Sequence, residues 1–150
     1  MTLSRKPQID LVFNQERTKA MQGYVRNIES IATSNVDFRR VLYTAKYSQL
    51  VVMSLLPLEE IGEEIHKLDQ FFRVEEGAGE VVIEGIRTPI SSGFAIIVPA
   101  GTKHKIVNSG DAPLKLYTLY SPPNHRDGVV HHTRDEATKD NEKFTGETTE

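Results

Sequence analysis

From Phe38 onward the chain reads as short runs of β-branched and aromatic residues, each broken after a few positions by glycine, proline or Asn/Asp clusters. This pattern constrains the fold most, because runs of this length suit strands and are too short for stable helices. It predicts strands over Arg40–Thr44, Gln49–Leu56, Gln70–Glu75, Glu80–Ile83, Phe94–Pro99, His104–Asn108 and Leu114–Tyr120. The breaks at Glu76–Gly79, Ser91–Gly93, Pro99–Gly101 and Asn108–Asp111 supply residues that tolerate positive φ or tight bends. An all-β sandwich or barrel is expected. Met21–Ile31 fits both a helical stripe and a strand, and we read it as strand. Thr133-Arg-Asp-Glu136 has capping-box spacing and predicts a short C-terminal helix.

With 150 residues, the sequence suits one domain with a genuine core. The expected division is an N-terminal extension over 1–20, a barrel over 21–130, and a helix and tail over 131–150. The polar residues of Lys143–Glu150 offer little to bury, so both ends are expected to be mobile. A net charge of -3 provides no basic field for nucleic acid or anionic membrane. The N-terminus lacks the apolar core of a secretory signal, and the longest apolar run is far too short to span a bilayer, so a cytoplasmic location is expected. The absence of cysteine excludes disulfides, thiolate metal sites and a cysteine nucleophile, leaving nitrogen and oxygen as metal donors. There is no P-loop, nucleophile elbow or dinucleotide fingerprint.

The segment Gly93-Phe-Ala-Ile-Ile-Val-Pro99-Ala-Gly101-Thr-Lys-His104-Lys-Ile-Val-Asn108 resembles the second motif of the cupins, G-x5-P-x-G-x2-H-x3-N, at every fixed position. Gly62 to Gly77 resembles a degenerate first motif, with Glu64 and His66 in the two histidine positions and Gln70 in the glutamate position. Leu58 stands where the opening glycine belongs. The resemblance spans roughly Gln49 to Tyr120 and implies a double-stranded β-helix, or jelly-roll barrel. It also implies a divalent transition metal (Mn, Fe, Co, Ni or Zn) held by Glu64, His66, Gln70 and His104. Residues two apart on a strand share a face, which independently places Glu64 beside His66.

Strand parity turns Leu116, Thr118 and Tyr120 toward the cavity and Lys115 toward solvent, while Phe72 and Val74 follow Gln70. Gln49, Met53, Phe72 and Tyr120 are the expected substrate-pocket residues. The strand carrying Gln49 is apolar on both faces, so a further layer or a second subunit is expected over it, and a homodimer with it. The bases Arg39, Arg40, Lys46 and Lys103 could supply an anion site such as one for phosphate but are read as scattered surface charge, and His131-His132 as an exposed pair, while His125 lies in a turn suited to cover the barrel mouth. The functional expectation is a metal-dependent enzyme acting on a small polar ligand, similar to the small cupins called mannose-6-phosphate-isomerase-like, with Glu64 moving a proton. The alternatives are an Fe(II) dioxygenase and a non-catalytic sugar or small-ligand module.

Overall fold

The computed structural model describes residues 20–150. The expected N-terminal extension therefore lies outside the described residues, except for Ala20. Among the described residues, ten strands follow one short helix. They are β1 (Arg39–Thr44), β2 (Gln49–Leu55), β3 (Glu60–Glu64), β4 (Asp69–Glu76), β5 (Ala78–Ile83), β6 (Ile86–Ser91), β7 (Ala95–Val98), β8 (His104–Val107), β9 (Leu114–Ser121) and β10 (Val130–His131). The helices among the described residues are α1 (Ile28–Ser34), before the strands, and α2 (Arg134–Lys139), after them.

The strands form two antiparallel sheets, one ordered β10-β1-β2-β9-β4-β7 and the other β3-β8-β5-β6. Between them lies the core, which includes Val51, Met53, Leu55, Phe72, Val74, Val81, Ile106 and Leu116. Burying a side chain of this size contributes about 1.5–3 kcal/mol relative to exposure, so this layer is the main source of stability. Sequence alternation sets its inward faces: Gln70, Phe72 and Val74 are buried on β4, as are Leu114, Leu116, Thr118 and Tyr120 on β9.

Two turns show why particular residues stand where they do. Gly77, between β4 and β5, has φ +92°, and a Cβ there would lie 2.6 Å from the Pro113 carbonyl oxygen, so only glycine fits. Asn108 is fully buried, and its Nδ2 donates to the carbonyls of Leu55 and Ala112, each at 2.9 Å. Its Oδ1 accepts from Gly110 N at 3.0 Å, which clamps the turn before β9.

Several local expectations are corrected. Residues Ile28–Ser34 form a helix and not a strand, because the Asn27 side chain accepts from Ser30 N and caps its first turn. Lys115 is buried, with its Nζ donating to the Asn35 carbonyl at the end of α1. The same segment covers the outer face of β2, where Val52 is fully buried. Val52 therefore leaves water within a single chain. His131 is buried between Arg39 and Asp140, whereas the His132 side chain is exposed. The polar C-terminus returns to β1: Thr149 N donates to Thr44 O at 2.9 Å, and Tyr43 Oη donates to Glu150 at 2.6 Å. No helix among the described residues is long and apolar enough to cross a membrane.

Candidate metal centre

The site is built where β3 and β8 pair at one end of the four-stranded sheet. Glu60 faces Val107 and Ile61 faces Ile106, but the register then shifts, so that Glu64 stands opposite His104. The bulge contains Gly62, whose φ is +100° and whose absent Cβ would lie 2.9 Å from the His104 carbonyl oxygen. One extra residue thus carries Glu64 to the side that regular pairing would deny it.

Glu64, His66 and His104 bring one donor atom each to within 4.8 Å of one another. His66 Nε2 lies 2.7 Å from Glu64 Oε2, and the two histidine rings are 5.5 Å apart. Burial pushes the Glu64 carboxyl up, but the hydrogen bond and charge of His66, with the charges of Arg39 and His104, bring it below its ordinary value. Glu64 is therefore ionised at neutral pH.

His104 is buried, and its Nδ1 lies 3.0 Å from the Thr102 carbonyl. A carbonyl only accepts, so Nδ1 carries a proton, and in the neutral imidazole the lone pair lies on Nε2. That Nε2 is buried and has no partner. Gln70 presents the same situation: its Nε2 donates to Thr118 Oγ1 at 3.0 Å, leaving Oε1 buried and unpartnered. Together with the ionised Glu64 carboxylate and the His66 imidazole, these two acceptors are nitrogen and oxygen donors of the kind that suit a divalent cation. All four expected ligand residues thus fit a metal by their own chemistry, and Phe72 backs the His104 ring edge-on at 6.3 Å.

Glu64 also lines a cavity of about 730 Å³ between β3 and the C-terminal segment. None of Gln49, Met53, Phe72 and Tyr120 is among its lining residues. Met53 and Phe72 are core. Gln49 spends its amide on the 124–125 loop: Oε1 accepts from Asn124 N and His125 N, and Nε2 donates to His125 O and Thr44 Oγ1. Tyr120 packs edge-on against His66 at 6.0 Å and connects the site to a buried chain of hydrogen bonds. Its hydroxyl is 3.2 Å from His125 Nε2, and His125 Nδ1 reaches Glu142 Oε1 at 2.5 Å. Burial raises the Tyr120 hydroxyl well above its ordinary value, so it stays protonated and donates to His125.

Arg39, His125 and Glu142 line the cavity. The Pro-Pro-Asn-His turn signalled His125, but Arg39 reads as one of several scattered bases, and Glu142 has no local signal at all.

The His125 environment predicts a pH dependence. Burial lowers its pKa despite the hydrogen bond to Glu142. The unfolded chain takes up a proton near the ordinary value of 6.5 while folded His125 does not, so stability falls as pH drops below that value. Burial pushes Glu142 up, and hydrogen bonds from His125 and the Arg126 backbone reverse it to a net lowering, which adds a loss below its ordinary 4.5. Exposed His132 is raised by Asp37 and works in the opposite direction, its contribution being lost as pH rises through its folded value. Urea midpoints of the wild type are expected to be lower at about pH 5.5 than at about pH 7.5, and His125→Gln to flatten the slope. An unaltered slope in the variant would contradict this assignment.

Comparison with known proteins agrees with the fold. The chain matches the family model described as cupin domain over residues 51–120. It is 43% identical over 121 residues to the uncharacterized protein YrkC of Bacillus subtilis, covering 76% of this chain and 65% of YrkC. It is 41% identical over 115 residues to the uncharacterized protein L612 of Acanthamoeba polyphaga mimivirus, covering 73% of this chain and 71% of that protein. The crystal structure of BH2720 from Bacillus halodurans superimposes with a TM-score of 0.78 at 41% identity, over 81% of this chain and 98% of that one.

Proposed function

The chain belongs to the cupin family, and from that premise we propose that it is a metal-dependent enzyme that moves a proton on a small polar molecule, in the manner of a sugar isomerase. The observation that supports the reading is the cluster of Glu64, His66 and His104, with Glu64 on the wall of a cavity of about 730 Å³ and with His104 Nε2 and Gln70 Oε1 left as buried, unpartnered acceptors. That volume falls within the usual range for small-ligand sites. Glu64, His66, Gln70 and His104 would hold the metal, which when bound supplies Lewis-acid polarisation of a carbonyl or hydroxyl oxygen.

The remaining work falls to the chain. Glu64, ionised and on the cavity wall, accepts the proton from carbon next to the carbonyl. Neutral His125 sits across the cavity with its Nδ1 proton directed to Glu142 and its Nε2 accepting from Tyr120, so it can pass a proton between the site interior and the cavity. The C-terminal segment closes one wall through Asp140, Glu142 and Phe144 and limits water.

The test is elemental analysis of protein purified without added metal, followed by incubation in deuterium oxide with aldoses and ketoses, their uronic and keto acids included. About one transition metal per chain is expected, with deuterium entering at the carbon beside the carbonyl. Protein that holds no metal even after supplementation removes the reading. Two histidines with one carboxylate also match the facial arrangement of Fe(II) oxygenases, which is the second reading. Iron in the protein, with oxygen uptake and no deuterium exchange, would favour it.

A further inference from the structure

Among the described residues, Arg39 is the one buried cation on the cavity wall. It enters from β1, on the opposite sheet from Glu64. Its Nη1 lies 3.2 Å from His131 Nδ1, and His131 Nε2 lies 3.0 Å from Asp140 Oδ2. His131 therefore donates to Asp140 through Nε2 and presents a lone pair to Arg39, which orients the guanidinium without neutralising it. Arg39 Nε has no hydrogen-bond partner. Among the described residues Arg39 forms no ion pair, although its charge acts on Glu64, Tyr120, His125 and Glu142 around it.

A guanidinium withdrawn from water is costly unless an anion meets it, and its planar fork matches a carboxylate in two parallel hydrogen bonds. Arg134, the other arginine on the cavity wall, is engaged by the Glu60 carbonyl at 3.0 Å. Acidic side chains outnumber basic ones on the cavity wall, five to three, which disfavours a dianion but leaves room for one negative charge held at one guanidinium.

We infer that Arg39 is the anchor for the carboxylate of a small organic acid, so that the molecule acted on is a hydroxy or keto acid and not a neutral sugar or a phosphate ester. This rests on the cavity beside Glu64 being the ligand site, as proposed above, but not on a metal being bound there. Arg39 is in this view a binding and specificity residue, with the reacting carbon left facing Glu64.

The experiment follows the Arg39 Nε–H signal by NMR in metal-free and zinc-supplemented protein. The probes are acetate, glycolate and gluconate, with glucose and inorganic phosphate as comparisons. At least one carboxylate should shift the signal and saturate, and its affinity should fall about tenfold or more in Arg39→Gln. Arg39→Lys, which keeps the charge, should recover part of that affinity. Thermal melts and amide spectra show whether each variant is folded. If Arg39→Gln does not fold, the wild-type Nε–H titration and Arg39→Lys decide. No shift with any carboxylate, a stronger response to phosphate or glucose, or unchanged affinity in folded Arg39→Gln would each overturn the inference. Carboxylate binding in protein that retains no metal upholds the anchor while removing the metal-dependent reading, so the two fail separately.

Discussion

His104→Ala is expected to leave the purified protein without its metal, lowering transition-metal affinity by at least about 100-fold, the upper end of what losing even an indirect supporting contact costs. The variant removes a donor whose lone pair is held in place by the Thr102 carbonyl and which has no other partner to turn to. His66 and Glu64 remain, but they are 2.7 Å apart and can satisfy each other without a cation. The measurement is metal content by elemental analysis after dialysis, backed by zinc or cobalt titration. Retention equal to wild type would refute the ligand role of His104. Fold loss is excluded by the urea midpoint of the metal-free variant, because His104 lies at the margin of the sheet and Phe72, behind it, belongs to the main core.

Gly62→Ala is the second large effect, and it strikes both stability and site. The new Cβ would approach the His104 carbonyl oxygen to 2.9 Å and Glu64 N to 3.2 Å, both of them backbone atoms that cannot swing away. The φ of +100° adds a conformation that alanine resists. A forced backbone of this kind costs about 1–3 kcal/mol, and each kcal/mol lowers the melting temperature by roughly 2–4 °C at this size. Relief requires β3 to shift against β8, which moves Glu64 from its position opposite His104. Metal affinity is therefore expected to fall about tenfold or more as well. Calorimetry of the metal-free protein with a parallel metal titration checks both. Wild-type values in the two would show that the bulge does not set the site.

These two residues differ in how far the sequence announces them. His104 stands after a Pro-Ala-Gly corner at the start of a β run, in a motif that matches at every fixed position, so its inward aim is legible. Gly62 lies in the acidic stretch Glu59–Glu64, where composition says solvated loop. The strand there, β3, was not expected, and neither were β6 and β10. All three are sheet edges. Edge strands bury one side at most and carry charge or proline, as β6 does with Arg87 and Pro89, so the alternation that reveals a central strand is absent. The pattern locates the central strands β1, β2, β4, β5, β8 and β9, because inward burial demands apolar residues at fixed parity, and also the edge strand β7, whose Ile96 and Val98 keep that parity.

The same distinction explains the site. The sequence by itself determined the two-layer β architecture, the inward parity of Gln70 and Phe72, and the histidines, because each rests on local spacing: a period of two along a strand or a turn followed by a ligand. Tertiary structure alone decided that Glu64 meets His104 across a bulge, that Gln49 anchors a loop and does not line the cavity, and that Lys115 is buried under α1. It also decided that Arg39 from β1, His125 from a loop and Glu142 from the C-terminal segment converge on one cavity. Those three are separated by up to a hundred residues or so along the chain, and no local period relates positions that meet only when two sheets close on each other.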